Sequence, residues 1–183
     1  AVARKLNTTG TLSRRAVAES IINNVRKTII RARLADPQFY EQMSKLLDDL
    51  IRQSREDAAA YEAFLQQAEA LAKRLHAGHP DSGVPAELHG KREATAVYNN
   101  LPNILAAGRA TTDGAAGSAA VDEDERLRLA LEIDRIMREQ APSEWKGDQA
   151  REAQVQNALF PLLNRDRAAT SALFELVRNQ PGY

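Results

Sequence analysis

The chain of 183 residues is expected to fold as an all-α helical bundle of antiparallel amphipathic helices. Three observations predict this. Apolar residues recur at three- and four-residue steps in one segment after another, which is the helical period. No stretch of convincing length alternates apolar and polar residues as a half-buried strand would. Ala, Leu, Arg, Glu and Gln, all helix-favouring, dominate the composition.

Residues 12–34 are expected to form the first helix, which Ser13 can cap. Val17, Ile21, Val25 and Ile29 recur every fourth position, with Ala18, Ile22 and Ala32 beside them. Asp36-Pro37 marks the next start, because Asp caps and Pro suits a first helical position. The stripe that follows is Phe39, Met43, Leu46, Leu47, Leu50 and Ile51. Either a break near 55–57 or a bend in a continuing helix is expected, and then Ala58, Tyr61, Phe64, Leu65, Ala68, Leu71, Ala72 and Leu75 continue at helical spacing. Short connections place these three helices as antiparallel neighbours.

Gly78, Pro80, Gly83 and Pro85 make residues 76–85 a loop. A weaker helix is expected over 85–101, with Leu88, Val97 and Leu101 buried and Pro102 disturbing its end. Residues 106–120, AAGRATTDGAAGSAA, lack large apolar groups and are expected to be a flexible linker. The predicted organisation is therefore one helical subdomain over 1–105 and another over 121–183. A long helix should begin near Asp122, where Asp122, Glu123, Asp124 and Glu125 meet the positive end of its dipole. Leu129, Ala130, Ile133, Ile136 and Met137 form its stripe, and Ala141-Pro142 stops it. Asp148 is expected to cap the next helix, with Val155, Ala158, Leu159 and Leu162 buried and Pro161 splitting its end. Asp166 should cap the last, whose stripe is Ala169, Leu173, Leu176 and Val177.

Lys and Arg number 25 and so do Asp and Glu, so bulk charge predicts no strong pull towards DNA or membrane. The chain has no cysteine, hence no disulfide framework and no thiol chemistry, which fits a cytoplasmic setting. No apolar run approaches the roughly 20 residues of a membrane span, and the start is not that of a signal peptide. Without an initiator Met, the sequence is expected to be a processed chain or a piece of a longer protein, the second being favoured.

No residue pattern calls for catalysis. Neither a GxxxxGK phosphate loop nor a GxGxxG turn is present. The carboxylate pairs Asp48-Asp49, Glu56-Asp57 and Asp122 to Glu125 fall on polar faces or helix starts, where solubility and capping explain them. His76, His79 and His89, with Asp81 or Glu87, have the donor types of a metal site. Their spacing matches no metal motif, and a solvated loop with no metal is expected. The first helix is rich in cations. On a helical wheel Arg15, Arg26 and Arg33 flank one side of its stripe, and Lys27 and Arg31 the other. Such a face can contact phosphates or an acidic partner, or simply lie solvated over the core. Trp145-Lys146-Gly147-Asp148 is the sharpest local feature. Gly147 can turn the chain with a positive φ, and Trp145, the single tryptophan, can fold back as an anchor. An exposed Trp145 would instead mark a docking surface.

The stretch APSEWKGDQAREAQVQNALFPLL (141–163), followed by LFELVRNQPGY (173–183), resembles the carboxyl-terminal end of type I restriction enzyme R subunits. IINNVRKTII (21–30) and YEQMSKLLDDLI (40–51) are similar to the helical region after the motor lobes of the same subunits. The resemblance implies a parent that is an ATP- and Mg-dependent DNA-translocating endonuclease. Its motor and nuclease motifs are absent here, so no cofactor or catalytic residue is carried over. For this stretch the resemblance implies a role in attaching the R subunit to the methyltransferase and specificity subunits. Trp145, Lys146, Gly147, Arg151 and Glu152 are then the candidate docking residues. The alternative is a helical brace beside the motor that contacts duplex DNA through the basic first helix.

Overall fold

The computed structural model describes residues 14–53, 60–77, 84–109 and 122–183. Among them are seven α-helices, two short 3-10 turns and no strand, so the chain is all-α. None of the helices is long and apolar enough to cross a membrane. The chain divides into two compact units. One comprises Ala1–Arg33 and Phe39–Pro80, the other Leu34–Gln38 and Asp81–Tyr183. The division near residue 80 differs from the expected linker at 106–120. Residues 106–109 are the last turn of a helix, and 110–121 lie outside the described residues. That helix buries Val97, Tyr98, Leu101 and Ile104 among the carboxyl-terminal helices, which outweighs its small-residue end in deciding where it belongs.

The first unit holds α1 (Arg14–Ala32), α2 (Pro37–Gln53, from Phe39 onward) and α3 (Ala60–Ala77). Its core is Val25, Ile29, Phe39, Tyr40, Met43, Leu47, Leu71 and Leu75. The expected stripes supply this core apart from Tyr40, which they did not include, and Leu46 of the α2 stripe is 41% exposed. Helical geometry puts Leu46 at the rim of an arc centred on Met43 and Leu47, and successive positions rotate by about 100°. The break or bend expected at 55–57 lies outside the described residues.

The second unit holds α4 (Arg92–Arg109), α5 (Glu123–Glu139), α6 (Gln149–Leu159) and α7 (Arg167–Arg178), with 3-10 turns at Ala86–Leu88 and Phe160–Leu163. Helix α4 is the centre, packing on both α5 and α7. Leu88, Val97, Leu101, Ile133, Leu159, Leu173 and Val177 are wholly or almost wholly buried. Removal of each such side chain from water contributes about 1.5–3 kcal/mol before entropy is charged. Asp148 caps α6 by accepting from the amides of Ala150 and Arg151 at 2.9 and 3.1 Å. Asp166 caps α7 by accepting from Ala169 at 2.9 Å. Pro161 ends α6 as expected, since Phe160–Leu163 tightens to 3-10 and Asn164 and Arg165 turn the chain through left-handed conformations.

Pro102 does not end its helix, and α4 runs seven residues past it. Proline has no N–H, so the carbonyl of Tyr98 one turn earlier loses its helical donor. Arg126 of α5 replaces that donor. Its Nε donates to Tyr98 O at 2.6 Å, and its guanidinium lies 3.7 Å from the centroid of the Tyr98 ring. The Tyr98 hydroxyl donates in turn to Glu123 at 3.2 Å. The missing bond thus becomes a crosslink between α4 and α5. Arg126→Ala is expected to cost about 1–3 kcal/mol, the penalty of an orphaned carbonyl. In a Pro102→Ala background that cost should shrink, because the new backbone N–H can supply the donor. A double-mutant cycle by urea unfolding measures the difference, and equal costs in both backgrounds would disprove the account.

Residues 34–38 connect α1 to α2, yet they belong to the second unit. Asp36 is 1% exposed. Its carboxylate accepts from Asn100 Nδ2 at 2.6 Å and Asn99 Nδ2 at 3.0 Å. Asn100 Oδ1 accepts from the Gln38 amide at 3.2 Å, and Asn103 donates to the Gln38 side chain at 2.9 Å. Gln180, also 1% exposed, donates to Ala35 O and Leu176 O. A buried carboxylate is tolerable only when hydrogen-bonded, and the asparagines of α4 meet that requirement.

Candidate functional site

The connection between α5 and α6 carries three of the five docking candidates, Trp145, Lys146 and Gly147, and the other two, Arg151 and Glu152, lie in the first turn of α6. Gly147 has φ +89, as its expected role requires, and Glu144 is also left-handed at φ 52. The two reversals swing Trp145 back onto the unit. Trp145 is 3% exposed and its ring lies 5.8 Å from that of Phe174 in α7, tilted by 55°. Trp145 is therefore an anchor and not an exposed docking residue, because its apolar area gains more from Phe174 and the core than from water. Its indole N–H is buried with no acceptor among the described residues, which costs about 1–3 kcal/mol.

The other candidates strap this turn in place. Gly147 N donates to Glu152 Oε1 at 2.8 Å, and Arg178 Nε lies 3.3 Å from the same oxygen. Arg151 reaches back to the carbonyl of Ser143 at 2.7 Å and pairs with Asp148 at 3.5 Å. Lys146 donates to the carbonyl of Gln180 and lies 5.5 Å from the Trp145 ring centroid. Burial pushes the Lys146 ammonium below its ordinary pKa, and Glu93 opposes that shift.

A cleft of about 430 Å³ opens beside the turn, floored by Met137, Ala141, Trp145 and Tyr183, with Arg138 and Lys146 in its lining. Beneath it lies a charge cluster that the sequence reading missed. Asp134 is 8% exposed. It accepts from Arg138 Nε at 3.0 and 3.1 Å and from the Tyr183 hydroxyl at 2.8 Å. Arg138 Nη2 also donates to Glu93 at 3.2 Å. A signal for the cluster was present: Asp134 falls four residues after Ala130 and three before Met137, on the apolar stripe itself. An acid at such a position needs partners, but their identity is not encoded locally.

Burial pushes the Tyr183 phenol well above its ordinary range, and Asp134 adds to the shift. The unfolded chain therefore releases this proton first, at its ordinary value near 10. The stabilisation is fully present below that value and is lost as pH rises from it towards the folded-state pKa. Between about pH 8 and pH 11, the unfolding midpoint of the native protein should fall more than that of Tyr183→Phe. Lys146 titrates with the opposite sign but is common to both proteins. Parallel falls would remove Tyr183 from the account.

The basic face of α1 is only partly free. Arg26 lies 3.6 Å from Asp48 of α2. Glu41, held below its ordinary pKa chiefly by Lys45, also feels Arg33. The opposing acids come from α2, which a reading of α1 alone leaves out. Lys27 and Arg31 are exposed, and the side chain of Arg15 lies outside the described residues. Of the histidine loop, His89 and Glu87 are exposed on the 3-10 turn and its end, while His79, Asp81 and the His76 side chain lie outside the described residues. Among the described residues no three His, Cys, Asp or Glu side chains are grouped to hold a metal ion.

Comparison with protein-family models, with curated proteins and with solved structures yields no match.

Proposed function

We propose that the chain is a non-catalytic, cytoplasmic helical domain of a type I restriction endonuclease R subunit, docking the motor and nuclease onto the methyltransferase–specificity core. One observation supports this above the others. The two segments that carry the resemblance, 141–163 and 173–183, are joined in the fold: Trp145 lies on Phe174, Glu152 meets Arg178, and Lys146 holds Gln180. Segments that resemble one family in sequence and share one packed corner are suited to act as a module. The parent subunit, by the same resemblance, is the ATP- and Mg-dependent site-specific deoxyribonuclease. Mixing the chain with purified core tests the reading. Co-migration in gel filtration, and competition with full-length R subunit, are expected. Failure of both removes docking as its role.

A second reading is favoured by the exposed Lys27 and Arg31, for which no ion pair occurs among the described residues. In that reading α1 braces duplex DNA beside the motor. Binding that weakens steeply with salt, and that drops on Lys27→Glu and Arg31→Glu, would favour it over docking.

A further inference from the structure

Residues 180–183 follow α7 without regular secondary structure, yet other parts of the second unit hold them closely. Tyr183 donates to Asp134 of α5 at 2.8 Å, and Gly182 lies against α4, where a Cβ would collide with the Glu93 carboxylate. Gln180 is the residue on which two distant segments converge. It is almost wholly buried. Its side-chain amide donates to the carbonyl of Ala35, in the α1–α2 connection, and to Leu176 O at 3.3 Å. Its main-chain carbonyl accepts from Lys146, in the α5–α6 turn. Ala35 precedes Asp36, whose buried carboxylate accepts from Asn99 and Asn100, and Asn100 accepts in turn from the Gln38 amide at 3.2 Å. Hydrogen bonds thus run from Lys146, an exposed docking candidate, through Gln180 to the α1–α2 connection. Where water is excluded, a bond lost at one member is not replaced by solvent, so its neighbours are held together or loosened together.

We propose that Gln180 couples the docking turn to the α1–α2 connection, so that a partner which shifts the turn at Lys146 loosens residues 35–38. Withdrawal of the ammonium takes the donor from the Gln180 carbonyl. Residue 180 is then less firmly placed, and its side-chain amide loses its alignment with Ala35 O. Coupling of this kind is carried by contiguous hydrogen bonds between packed segments. The inference rests on the docking reading for what engages Lys146 and adds to it how engagement is felt elsewhere in the same unit. The coupling itself is a property of the chain alone and is tested without a partner.

Amide hydrogen exchange on the intact chain reads such local loosening. The Gln38 amide reports the connection, and the amide of Ile133, wholly buried in α5, reports opening of the unit as a whole. Lys146→Met imitates a turn whose ammonium has been withdrawn. It should raise the ratio of the Gln38 rate to the Ile133 rate at least about fivefold, the lower end of couplings between sites. Arg151→Ala frees the same turn from its bond at the Ser143 carbonyl without touching Gln180. It should leave the ratio within about twofold of the native value, as expected of a site outside the network. In a Gln180→Leu background, Lys146→Met should likewise change the ratio by less than about twofold. If Gln180→Leu does not fold, the contrast between Lys146→Met and Arg151→Ala decides alone. The proposal is overturned by an unchanged ratio in Lys146→Met, by an equal rise in Arg151→Ala, or by a Lys146→Met effect that persists in full without the Gln180 side chain. Each of these results leaves docking standing, and failure to co-migrate with the core leaves the coupling standing.

Discussion

Trp145→Ala is expected to lower the stability of the second unit by about 3–5 kcal/mol, the range for deleting a large aromatic side chain from a core. The side chain is 3% exposed and fills the space between Phe174 and the α5–α6 turn. The turn over the void is held by its backbone, through Gly147 N on Glu152 and Arg151 on the Ser143 carbonyl, which resists its collapse. Trp145→Phe should behave differently. It keeps an aromatic ring against Phe174 and removes the unpaired indole N–H, whose burial costs about 1–3 kcal/mol. The gain offsets much of the lost volume, so its net cost should stay below about 1.5 kcal/mol. Urea unfolding followed by circular dichroism measures both variants. Equal losses for Ala and Phe would show that packing against Phe174 is not what Trp145 contributes.

Asn100→Leu should cost about 3 kcal/mol although the shape is nearly conserved, since a buried charged group loses a partner. The amide of Asn100 donates to Asp36 and to Ala96 O, and its oxygen accepts from the Gln38 backbone. Leucine removes all three at once and leaves the Asp36 carboxylate with one fewer donor, in a residue 1% exposed. The second variant, Asn99→Leu, touches the same carboxylate through one longer bond from a half-buried position and should cost less than half as much. Trp145 fluorescence follows the second unit in both. If Asn99→Leu proves the costlier of the two, the bond geometry around Asp36 does not set the energetics.

Much of the fold was legible because the apolar period is a property of neighbouring residues. The stripe of α5 names its buried face apart from Asp134, that of α7 omits Thr170 and Phe174, and Asp148 and Asp166 stand where local cap chemistry puts them. The docking candidates were legible as a turn, through Gly147, but their surroundings were not. Trp145 had two readings, anchor or exposed contact, and only the position of Phe174 in α7 selects between them. Gly108 illustrates the same limit. In sequence it looks like linker material, but it is buried, and a Cβ there would collide with the Asp166 carboxylate that caps α7. Pro102 gave the opposite error. Its local effect, a lost hydrogen bond, is real, but the helix continues because Arg126 from another helix supplies the donor.

By itself the sequence determined that the chain is helical, where most helices begin and which faces they bury, because capping and periodicity act over one or two turns. Tertiary structure alone decided that α4 joins the carboxyl-terminal helices, that Asp36 is held by asparagines more than 60 residues away, and that Asp134, Arg138 and Tyr183 meet beneath a cleft. Such pairings depend on which buried polar group finds a partner once the apolar faces have closed. Desolvation makes that choice, and it operates between segments that carry no mark of one another along the chain.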